Sequence, residues 1–184
     1  MKNVYTLAGI FILTILSCGR IKQLATINVP IPYNYDLTIP DYIDTMDIPL
    51  GTGLDISLPA IPIETNSQQY LKDYNTAPEK ITGVTLSKLS LSILQPPSGN
   101  FNFISAVSVY LSAPDLPEVL VASQYAIPDG VDSLTLDCTS QDLRNYFLAD
   151  TMYVRLNGHF DEPPPPNTTI HIHSVFTLRA NPLN

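Results

Sequence analysis

Tryptophan is absent from this 184-residue chain, and cysteine is nearly so, with Cys18 and Cys138 alone. Charge is scarce: 14% of the residues are Asp, Glu, Lys or Arg, against about 25% in typical soluble domains. Positive charge is scarcest, with nine Lys and Arg against seventeen Asp and Glu, and the nine are scattered. Nucleic-acid binding needs a basic patch that neutralises phosphates, so this composition argues against it. No apolar run approaches the ~20 residues that a helix needs to cross a bilayer. The catalytic signatures G-x-S-x-G and H-E-x-x-H are missing, as is a phosphate-cradling glycine loop.

What is present points to a packed β-rich domain. Hydrophobic residues make up 45% of the chain, enough for a core and too many for global disorder. The seventeen prolines belong at strand ends, sheet edges and turns, because proline breaks helix interiors and central strands.

The first residues form an address. "MKN" is a short positive start, and "VYTLAGIFILTIL" runs uncharged from Val4 to Leu16. That length suits the apolar region of a signal peptide. "ILSC" at Ile15 to Cys18, followed by Gly19, resembles the lipobox of bacterial lipoproteins. The resemblance covers about the first twenty residues. It implies that residues 1–17 are a lipoprotein signal peptide that is cut away. It also implies that the Cys18 thiol receives a diacylglycerol and that its new amino terminus is acylated, with palmitate as a typical chain. Residues 18–23 then form the lipidated cysteine and a tether. The implied location is the bacterial cell envelope, at the outer membrane, with the facing leaflet left open. A lipidated Cys18 leaves no intramolecular disulfide. Cleavage removes Lys2 and no acid, so the mature charge is 8 − 17 = −9. An acidic body gains nothing from an anionic leaflet, which leaves the holding to the lipid.

Residues 24–184 read as one β-sandwich domain of immunoglobulin-like or jelly-roll kind, with one short helix. In residues 24–65 apolar residues repeatedly precede proline, as in "VPIP" and "SLPAIP", which favours extended edge strands. Residues 66–79 are polar and read as a loop. The main sheets lie in 81–179. "VTLSKLSLSIL" alternates in two phases, and a bulge near Ser87–Lys88 would place both on one face. "FNFISAVSVYLS" follows after a turn cluster, and the two read as a hairpin. "TSQDLRNYFLAD" is the expected helix, capped by Thr139 or Ser140, with Leu143, Tyr146 and Phe147 on one side. "TMYVRLNGHF" and "TTIHIHSVFTLR", joined by "DEPPPPN", read as a final hairpin.

Few residues carry chemistry. His159, His171 and His173 fall on the outward side of the last two strands. Were these strands paired, three imidazoles could hold zinc and leave a position for water; otherwise they are exposed histidines on a polar face. Asp41, Asp44 and Asp47 cluster as calcium-binding carboxylates can, but without the glycine turn of an EF-hand they read as a solvated edge that discourages aggregation. Cys138 alternates with Leu134 and Leu136 and reads as a small buried hydrophobe. Tyr33, Tyr35, Tyr42, Tyr70, Tyr74 and Tyr125 sit in loops or near strand ends, where tyrosine serves binding surfaces or packs loops. "NTT" at Asn167 to Thr169 has the form of a glycosylation acceptor, which a bacterial source deprives of weight.

The expected function is a membrane-anchored envelope lipoprotein with a non-catalytic binding or structural role toward a protein or glycan. It is similar in type to the small β-sandwich lipoproteins of bacterial envelopes. Two alternatives belong to other classes: a zinc-dependent hydrolase or hydratase using the three histidines, and a carrier of an apolar ligand held between the sheets.

Overall fold

A computed structural model describes residues 26–49 and 51–181. The signal segment, Cys18 and the tether lie outside the described residues. Two antiparallel sheets face each other. Sheet A has the order β1 (Ile27–Thr38), β10 (Thr169–Ala180), β4 (Ile81–Gln95) and β7 (Ser133–Thr135). Sheet B runs from β2 (Leu54–Ser57) through β9 (Thr151–Phe160), β5 (Ile104–Ala113) and β6 (Leu116–Tyr125) to β8 (Asp137–Cys138), with β3 (Ile61–Glu64) also paired to β9. Strands account for 53% of the structure, and the expected β-sandwich is what forms.

Alternation explains the layers. Ile170, Ile172, Phe176 and Leu178 point inward from β10, and Met152, Val154, Leu156 and Phe160 from β9, all buried. Val84 and Leu86 in one phase and Leu89 and Leu91 in the other are buried as well. The β10–β4 register slips between them: Val175 pairs with Lys88, but Phe176 pairs with Leu86. Ser87 is the extra residue, so the predicted bulge is present and re-phases the strand. Its hydroxyl donates to the Val175 carbonyl at 2.9 Å.

The proline-rich part supplies sheet edges, as its composition requires. β1 runs along the rim of sheet A, with Pro30 and Pro32 exposed in alternation with the buried Val29 and Ile31. β2 and β3 share β9 as partner, and the break between them falls at Pro59 and Ala60.

Several expectations need correction. Neither expected hairpin forms. β4 lies in sheet A and β5 in sheet B; β10 lies in sheet A and β9 in sheet B. Each connection arches from one sheet to the other. Among the described residues three short α-helices form rather than one. α1 (Asp41–Asp44) makes a single turn directly after Pro40, so the prolines flank it rather than prevent it. α2 (Ser67–Asp73) replaces the expected loop; Ser67 and Leu71 are buried, and Tyr70 meets Tyr33 and Phe147, each at 6.4 Å between ring centres. Tyr33 ties this region to sheet A. It packs on Phe176 at 5.7 Å and donates its hydroxyl to the Thr65 carbonyl at 2.5 Å. Burial, aided by Tyr70, pushes its pKa above the ordinary phenol value.

α3 (Arg144–Leu148) is the expected helix, with Leu143, Tyr146 and Phe147 buried. It starts later than expected and is not capped by Thr139 or Ser140. The Thr139 hydroxyl instead donates to the Leu120 carbonyl, continuing the β8 pairing. Asp142 accepts from the amides of Val84 and Arg144 and so fastens the helix start to β4.

Candidate functional site

The topology separates the three histidines. His159 stands on the outer face of sheet B, whereas His171 and His173 stand on the outer face of sheet A. The core lies between them, and packed sheets are about 10 Å apart. A shared metal at about 2.0–2.1 Å from each ring nitrogen is therefore excluded for this trio. Among the described residues no group of three or more His, Cys, Asp or Glu side chains is placed to hold a metal ion.

Each histidine instead faces a hydrogen-bond partner directly across a strand pair. His159 Nδ1 is 2.7 Å from Asp55 Oδ1, His171 Nδ1 is 2.6 Å from Asp36 Oδ1, and His173 Nδ1 is 2.8 Å from Asn34 Oδ1. These are registered Cα partners in the β2–β9 and β1–β10 ladders. Asp55 raises the His159 pKa chiefly through its hydrogen bond, with help from its own charge, that of Asp161 and the Thr52 backbone.

The more structured surface is on sheet B. A cleft of about 260 Å³ opens on its outer face, lined by Asp55, Ser57, Ser108, Tyr110, Asn157 and His159, with Tyr125 at its lip. Tyr125 is 64% exposed. Alternation places these side chains: along β9, Arg155, Asn157 and His159 are successive outward positions between buried ones. Ser108 pairs with Asn157, and Tyr110 pairs with Arg155.

Arg155 braces one end of this face. Its Nε meets Glu118 Oε1 at 2.8 Å and its Nη2 meets Glu118 Oε2 at 2.5 Å, a two-point fork. Nη1 donates to Ser57 at 3.0 Å and to Asn157. The guanidinium carbon sits 4.9 Å from the Tyr110 ring centre, within cation–π range. Four strands are thus joined by one side chain. The fork holds the Glu118 pKa below the ordinary carboxylate value.

The remaining candidates have structural roles or none. Cys138 is a half-buried thiol on β8, and burial pushes its pKa up, which disfavours a thiolate. Asp41 and Asp47 are exposed and Asp44 half-buried on and after α1. Tyr42 and Tyr74 are exposed, and Asn167 holds a left-handed turn at φ 58°. Two spaces between the sheets, each about 20 Å³, have room for about one water molecule. Neither accommodates an acyl chain as it stands.

Sequence reasoning found His159 and Tyr125 but missed Asp55, Glu118, Tyr110, Arg155 and Asn157. Outward alternation along β9 was the available signal for Arg155 and Asn157. Their partners come from strands distant in sequence.

No protein-family model matches this chain, and neither does any curated protein. A solved structure from Desmodium yellow mottle tymovirus is similar at 13% identity, over 84% of this chain and 89% of that one, with a TM-score of 0.24. A likeness that weak carries no argument about this chain.

Proposed function

We propose that this chain is a lipid-anchored protein of the bacterial cell envelope, and that its sandwich binds a glycan in the cleft of sheet B without catalysis. Attachment through Cys18 rests on the lipobox resemblance. The observation that carries the binding role is the pairing of an exposed ring, Tyr125, with convergent polar groups from Asp55, Ser57, Ser108, Asn157 and His159. Sugars present apolar C–H faces and rims of hydroxyls, and a ring beside mixed donors and acceptors meets both. The Arg155 network fixes the floor before a ligand arrives, which reduces the entropy lost on binding.

The test is a glycan-array screen of the purified full chain in mild detergent, followed by calorimetry on the saccharides retained. Tyr125→Ala is expected to weaken binding at least tenfold while leaving the fold intact. Retention of no saccharide, binding unaffected by Tyr125→Ala, or turnover of the bound glycan would each overturn the reading.

A further inference from the structure

His171 and His173 share the outer face of sheet A, two residues apart on β10. Residues so spaced on a strand lie about 6.6 Å apart and point the same way. Both use Nδ1 toward the same neighbouring strand: Asp36 takes His171 at 2.6 Å, and Asn34 takes His173 at 2.8 Å. A carboxylate or amide oxygen can only accept, so each Nδ1 donates, and Nε2 is the ring nitrogen left to offer a lone pair when the imidazole is neutral. The two Nε2 atoms therefore point away from β1, toward the β4 side of the sheet. There the registered neighbours are Ser92 opposite His171 and Ser90 opposite His173, both small. Both rings are half-buried, so their orientation is held while an edge stays open: His171 has 33% of its side chain exposed.

Two imidazoles on one face, each held in direction by an acceptor behind its Nδ1, form half of a transition-metal site. Metal-ligating histidines carry this kind of outer partner, which sets the ring and raises its basicity. The geometry points to a two-histidine site on sheet A for a divalent first-row cation of the zinc type, held by Nε2 of His171 and His173 and completed by water. Imidazole suits zinc, copper and nickel, and does not suit the hard cations that select carboxylate oxygens. His159 takes no part, and the site is independent of the cleft on sheet B.

The experiment is calorimetric titration of the full-length chain in mild detergent with zinc chloride. One ion per chain is expected. His171→Ala and His173→Ala should each weaken binding at least tenfold. Asp36→Ala, which removes only the outer partner, should weaken it about 10- to 100-fold, and His159→Ala should leave it unchanged. Circular dichroism checks that each variant folds. In the wild-type chain, zinc should shift the Cε1–Hε1 resonances of His171 and His173 and not those of His159, a readout that needs no variant. Absence of binding, binding that survives loss of His171 and His173, or zinc-induced shifts at His159 alone would overturn the assignment.

Discussion

His159 and Asp55 face each other across the β2–β9 pair, with Nδ1 and Oδ1 2.7 Å apart. The hydrogen bond that His159 donates to Asp55 is the main reason that the histidine pKa lies above its ordinary value. A histidine whose folded pKa is raised adds stability that is complete below the unfolded value of about 6.5 and fades as pH rises through the folded one. Asp55→Asn is therefore expected to move the His159 midpoint down toward 6.5, followed by NMR titration of its Cε1 proton. Stability lost on this substitution should be largest below pH 6.5 and vanish at alkaline pH. An unmoved midpoint would mean that Asp55 is a bystander.

Ser87 sits where the two apolar phases of β4 are reconciled. Deleting it would turn either Val84 and Leu86 or Leu89 and Leu91 to solvent, because a one-residue slip reverses every side chain beyond it. Exposing two such side chains costs about 3 kcal/mol or more, so the deletion should prevent stable folding. Ser87→Ala keeps the extra residue and loses only a hydroxyl that bonds Val175 and Thr177; a change of about 1 kcal/mol is expected. Comparable urea midpoints for the two variants would refute the re-phasing role.

That bulge was legible because a period-2 pattern with one phase error has few other solutions. The pairing of strands was not. Alternation in β4, β5, β9 and β10 reports which side chains face a core, and in a sandwich both sheets face the same core. The connectors at 96–103 and 161–168 held the missing clue, since tight hairpins use about two to five residues. α2 was hidden for a different reason: its apolar content is Tyr70 and Leu71, and its stability comes from Tyr33 and Phe147, which are far away in sequence. The cleft was half visible, since one strand's outward residues can be read from alternation but their cross-strand partners depend on topology.

Arg155 is the best-connected side chain on sheet B, and its fork with Glu118 requires a planar guanidinium. The pair is partly open to water, with 24% and 38% of the two side chains exposed, so its worth is modest. Arg155→Lys keeps the charge but loses the fork and most of the contact with Tyr110. It is expected to cost about 1 kcal/mol in urea unfolding. Glu118→Gln should cost less, and the double variant should fall short of the sum. Strict additivity would show that the fork contributes nothing.

Attachment at Cys18 can be tested with the chain's other thiol as an internal control. Cys138 is half-buried and its thiolate is disfavoured, so it is a poor acceptor for an acyl chain. Labelled palmitate is expected to enter the wild-type chain and Cys138→Ser equally, and to be absent from Cys18→Ser. The uncut Cys18→Ser precursor should also migrate more slowly on gels. On the proposed attachment, cleavage after residue 17 would leave two or three acyl chains as the hold on the leaflet, because a body of charge −9, from 8 − 17, is repelled by anionic lipid. One chain alone binds marginally. Phospholipase-free salt washes should therefore leave the wild-type protein in the membrane fraction, and a chain that begins at Gly19 behind an ordinary secretion signal should be wholly soluble. Membrane retention of that soluble form would show that the sandwich itself, and not Cys18, makes the contact.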